Sequence, residues 1–115
     1  FFRLPYLQVN DVTSRSVTLQ WSSPSNTGGS EIIGYVIEKQ LLDGRSDWEK
    51  VATVDASVTQ FTIENLKEKS EYYFRVAAEN NVGLGEASQT QKISLKTHAR
   101  KYPIFPYFLN NSFYE

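Results

Sequence analysis

The segment EYYFRVAAEN, residues 71–80, alternates apolar and polar side chains, and this alternation constrains the fold more than any other feature. Tyr72, Phe74, Val76 and Ala78 share one face of an extended chain, because successive strand side chains point to opposite sides. A helix is the competing reading, since LKEKSEYYFRVAAEN is rich in the good helix formers Leu, Lys, Glu and Ala. A helical face would gather Leu66, Ser70, Tyr73 and Ala77 and scatter Tyr72, Phe74 and Val76 round the cylinder. Only the strand collects the aromatics.

The same period recurs along the chain in short runs split by turn residues. YLQV (6–9) follows Pro5, as an edge strand does. SVTLQWS (16–22) places Val17, Leu19 and Trp21 on one face, and burying Trp21 there contributes on the order of 2–3 kcal/mol. SPSNTGG (23–29) is turn material. IIGYVIEKQ (32–40) sets Ile33, Tyr35 and Ile37 on one face, with Gly34 marking a bulge or a close backbone approach. A loop around Asp43-Gly44 leads to WEKVATV (48–54). VTQFTIE (58–64) aligns Phe61 with Ile63, and QKISLKT (91–97) aligns Ile93 with Leu95. Seven evenly spaced candidate strands predict an all-β, seven-stranded antiparallel β-sandwich, with no alternating βα pattern.

Catalytic and ligand-binding chemistry finds little foothold. The pair Gly83 and Gly85 in RVAAENNVGLGEAS looks at first like a phosphate cradle. A dinucleotide fingerprint needs a third glycine and a following helix whose amides meet the pyrophosphate, whereas here SQTQKISLKT follows and alternates as a strand. The glycines are expected to supply positive φ in a turn between the last two strands. His98 is the only histidine and there is no cysteine, so no triad, disulfide or Cys-based zinc site can be assembled. The carboxylates lie in loops or on outward strand positions without a pocket to raise a pKa or a dense oxygen cluster for calcium. DGRSD (43–47) contains Gly, Arg and Asp, but in the wrong order for recognition of the Arg-Gly-Asp type. The expectation is no catalytic residue, no cofactor and no metal. With 12 basic and 13 acidic residues the formal charge is −1, which offers no footprint for nucleic acid. No apolar run approaches the roughly 18 residues of a membrane span, so no membrane insertion is expected. FFRLPYLQV lacks the continuous apolar region of a signal peptide.

GGSEIIGYVIEK, Trp21 on the second strand, Leu66 six residues before Tyr72, and YYFRVAAENNVGLGEAS fall in the order seen in fibronectin type III domains. The resemblance covers about residues 5–97. It implies an immunoglobulin-like sandwich in which the first, second and fifth strands face the other four. It implies a tyrosine corner, with the Tyr72 hydroxyl bonding backbone near Leu66. The expected core is Trp21, Tyr35, Ile37, Leu66, Tyr72, Phe74 and Val76, with Trp48 packing near a sheet edge. Two loops are expected at one end of the sandwich as candidate partner contacts. These are Asn26, Thr27 and Gly28, and Asn80, Asn81, Val82, Gly83, Leu84, Gly85 and Glu86. The wording is most similar to type III domains of giant muscle proteins of the titin and twitchin kind, and adhesion proteins carry related wording.

The resemblance implies a non-catalytic structural or protein-contact module of a larger chain. Its expected partners are neighbouring immunoglobulin-like or type III domains, joined near Pro5 and Thr97 at opposite ends. The expected home is the sarcomere, with the ectodomain of an adhesion molecule or receptor as the alternative. Residues 1–4 read as a leader and 98–115 as an aromatic-rich tail, disordered or not native. One reading of the tail is a docking segment that binds a partner groove or folds back on an edge strand. The other is translated intron at both ends, since Arg100-Lys101-Tyr102 can be encoded through a consensus splice donor and Phe1-Phe2-Arg3 through an acceptor. Sequencing the mature transcript across both ends tests that expectation.

Overall fold

Val17, Leu19 and Trp21 are closed off from solvent while Thr18 and Gln20 between them are half-exposed, and this alternation builds both layers of the molecule. The computed structural model describes residues 3–24 and 29–95. Its strands are β1 (Leu7–Val12), β2 (Val17–Trp21), β3 (Gly34–Leu41), β4 (Glu49–Asp55), β5 (Gln60–Ile63), β6 (Glu71–Glu79), β7 (Ser88–Gln89) and β8 (Ile93–Ser94). One antiparallel sheet runs β1-β2-β5, and the other runs β4-β3-β6-β7 with β8 also paired to β6. The molecule is an all-β sandwich. Its core is one cluster in which Leu19, Trp21 and Ile63 from the first sheet meet Tyr35, Ile37, Phe74 and Val76 from the second. Trp21 meets Tyr35 edge-on, with ring centroids 5.5 Å apart.

Where residues differ from the sequence expectation, the cause is local. The expected last strand, 91–97, begins earlier and is split into β7 and β8. The break follows Thr90, whose N–H donates to the Phe74 carbonyl at 2.8 Å while its hydroxyl accepts the Phe74 N–H at 3.2 Å. A side chain thus stands in for a ladder carbonyl and lets the strand turn aside. β1 extends past residue 9 through a bulge, since Val9 faces Leu19 but Asp11 faces Thr18, leaving Asn10 unmatched. Asn10 then bridges Gln8 and Gln20 with its amide. Ile33, expected to face inward with Tyr35 and Ile37, is 49% exposed because β3 begins only at Gly34. Ile32 packs against the core rim instead.

Gly34 is a close backbone approach. A Cβ there would collide with the Val54 carbonyl oxygen on the neighbouring strand, so only glycine fits. The register slip between β3 and β4 falls further along, between Ile37 and Glu38. Leu4 lies before the expected domain start at Pro5, yet it is buried with the core, so the packed unit includes it. His98 and the aromatic-rich tail lie outside the described residues, as do Phe1 and Phe2.

Candidate interaction surface

The strand ends define two poles. At the N-terminal pole lie residues 3–6, the segment leading into β3 and the turn after β6. At the C-terminal pole lie the turns after β1, β3 and β5, together with Leu95.

The turn after β6 is built by Asn80. Expected as a contact residue, Asn80 is instead 5% exposed, and its Oδ1 accepts the N–H groups of Val82 at 2.9 Å and Gly83 at 3.1 Å. An asparagine that bonds its own backbone two residues on is a turn former, and this one lies inside. The chain closes behind it with Asn80 N–H donating to Gly83 O, and Gly85 N–H donating to Ala78 O. Gly83 has φ +152°, but Gly85 does not have positive φ, which corrects half of that expectation. Asn81, Val82, Leu84 and Glu86 are left facing solvent. Ser88 Oγ donates to the Leu4 carbonyl at 3.4 Å, and Arg3 lies 3.9 Å from Glu86, so the incoming chain runs beside this turn. Ile33 joins the same pole, its N–H donating to Glu79 O at 2.8 Å, while Leu84 bridges Glu79 from the other side. Asn26, Thr27 and Gly28 lie outside the described residues.

The C-terminal pole is polar. Tyr72, 4% exposed, accepts the Lys67 N–H on its hydroxyl at 2.9 Å, and Leu66 N–H donates to Arg15 O, which ties the turn after β5 to the turn after β1. Asp43 caps the turn after β3. Its Oδ1 accepts from Arg45 N and Ser46 N and its Oδ2 from Ser46 Oγ, and these bonds lower its pKa from 3.8 to about 2. Asp55, at the other pole, is lowered as well, by the Ser57 hydroxyl and amide. An open hollow of about 330 Å³ lies at the C-terminal pole, lined by Leu41, Leu42 and Leu95 with Lys67, Lys69, Asp43 and Glu71.

On the outer face of the second sheet Arg75 lies 4.0 Å over the Trp48 ring and donates from Nε to Glu38 Oε1 at 2.6 Å. The half-buried indole is thus covered by its own domain. Among the described residues no group of three His, Cys, Asp or Glu is placed to hold a metal ion, and no helix is long and apolar enough to cross a membrane.

Two antiparallel sheets ordered β1-β2-β5 and β4-β3-β6-β7, with a tyrosine tying a cross-sheet turn, define an immunoglobulin-like sandwich. The sequence profile of the fibronectin type III domain matches residues 5–94, and the chain belongs to that family. Over 96 residues it is 56% identical to Titin of Drosophila melanogaster, a stretch that is 84% of this chain and, to the nearest per cent, 0% of that protein. It is 36% identical over 97 residues to the cell adhesion molecule DSCAML1 of Gallus gallus, covering 84% of this chain and 4% of that one. Among solved structures, the twitchin kinase region of C. elegans superimposes with a TM-score of 0.77 at 29% identity, over 87% of this chain and 17% of that one. The chain thus spans a small part of each of these relatives.

Proposed function

We propose that this chain is one structural, non-catalytic module of a longer multidomain protein of the titin kind, working in the sarcomere. The identity of 56% to a titin, against 36% over a like span to an adhesion molecule, is the observation that carries this reading. The geometry supports it. The chain comes in beside Glu86 and Ser88 at one pole and leaves past Leu95, whose N–H donates to Ser70 O, at the other. A sandwich connected in this way holds its two neighbours at a set separation, and its partners are the immunoglobulin-like or type III domains on either side. Load would run between the poles through β1 and the β7–β8 edge, and a cooperative domain of this size resists it with about 5–10 kcal/mol of stability. The second reading, an ectodomain module of an adhesion molecule, is favoured by the DSCAML1 match.

An antibody against the folded domain separates the two. Regular striations in permeabilised muscle fibres are expected. Labelling confined to the surface of intact cells would establish the adhesion reading instead.

A further inference from the structure

Among the described residues four large apolar side chains are exposed, namely Tyr6 at 42%, Ile33 at 49%, Val82 at 88% and Leu84 at 53%. All four stand at the N-terminal pole. Tyr6 precedes Leu7, which pairs with Trp21 at the end of β2, and Ile33 and Leu84 lie on either side of Glu79. Apolar residues scattered singly over a surface are ordinary, but a group confined to one pole marks a contact surface. The turns of the opposite pole carry Thr13, Arg15, Asp43, Arg45, Lys67 and Lys69, and no exposed large apolar side chain among the described residues.

The patch is also held in place. Buried Asn80 fixes the amides of Val82 and Gly83, and the bond from Gly85 N–H to Ala78 O fixes the chain on the far side of Leu84. These two side chains therefore project into solvent from a preorganised turn, so less conformational entropy is lost when something covers them.

We propose that the occupant is a second β-sandwich domain placed immediately before this one in the same chain, whose C-terminal pole receives Val82 and Leu84. This rests on the reading of the chain as one module of a longer protein. Leu4 is buried in the core and its carbonyl accepts from Ser88 Oγ, so whatever precedes it starts beside the turn that carries Leu84. A domain tethered there meets the patch at millimolar effective concentration, which lets a small apolar contact close where a free partner would not. The charges fit a specific seat. The patch is bordered by Glu31, Glu79 and Glu86 with Arg3 as counter-charge, so the receiving pole should have an apolar floor and a cationic rim. This domain's own C-terminal pole has that form only in part, with Leu41, Leu42 and Leu95 beside a rim that mixes Lys67 and Lys69 with Asp43 and Glu71.

The test compares this domain alone with the native two-domain fragment that adds whatever domain precedes it. Both are followed by methyl and amide NMR, with and without Val82→Ser plus Leu84→Ser. In the two-domain fragment the methyl signals of Ile33, Val82 and Leu84 are expected to shift, and the halves to tumble together. The double substitution is expected to return the Ile33 signal to its single-domain position and let the halves tumble separately. It should leave the melting temperature of the single domain unchanged, because both side chains are exposed. Identical methyl shifts in both forms, or shared tumbling that survives the double substitution, would overturn the proposal while leaving the module reading intact. Self-association of the single domain through the patch, with no change in the two-domain fragment, would also overturn it. A mature transcript with no domain before this one overturns the proposal alone, and one with no other domain on either side removes the module reading as well.

Discussion

Tyr72 places its ring in the core, stacked 5.6 Å from Phe74, and its hydroxyl on a single amide, that of Lys67. Tyr72→Phe keeps the ring and orphans the amide, so it is expected to cost about 1–3 kcal/mol, read as a lower urea midpoint at unchanged slope. Asp43 carries the opposite kind of effect, since it is exposed and acts through charge. Its pKa is lowered on folding, so its carboxylate adds stability above the unfolded value of 3.8, and that contribution fades as pH falls toward about 2. Asp43→Asn should therefore flatten the fall in melting temperature between pH 4 and pH 2. At neutral pH it should lower stability only modestly, because solvent screens the group. A variant as acid-sensitive as the parent would assign the effect elsewhere.

At the scale of elements, Thr90 decides where the last strand breaks. Thr90→Val keeps the shape but leaves the Phe74 N–H without its acceptor in a buried site, at a cost of about 1–3 kcal/mol. Hydrogen exchange should show the Phe74 amide losing protection while the β3–β6 ladder keeps its own. That break also shows what could be read from residues alone. Alternation located the inward faces of β2, β3 and β6, because period 2 is a direct imprint of a half-buried strand. It cannot show where a sheet ends, so it puts Ile33 on the core face although that residue stands beyond the first rung of β3. Nor does composition distinguish an asparagine that meets solvent from one that bonds its own backbone, which is why the sequence alone points Asn80 outward. Leu84 is among the loop residues expected at a contact surface and is 53% exposed, whereas the hollow at the far pole depends on two separate turns and the end of β8 and leaves no local signal.

For the molecule as a whole, a single core cluster reaches from Leu4 to Leu95 and draws on both sheets. Trp21 reports its interior and Trp48 its outer face. Urea unfolding followed by tryptophan fluorescence and by far-ultraviolet circular dichroism should therefore give coincident transitions, as a two-state domain does. Transitions at different urea concentrations would mean that the two sheets come apart separately.

The margins of both sheets share a property that bears on life among many similar neighbours. The two inner strands of the larger sheet, β3 and β6, pair over eight residues without a slip. Every outer strand is blemished: β1 carries the extra Asn10, β4 slips against β3, β5 has four residues, and the β7–β8 side is broken. An irregular or short rim is a poor template for a foreign chain to extend. Copies crowded side by side, or neighbours refolding at the same moment, would find no long straight border on which to misassemble into a shared ribbon.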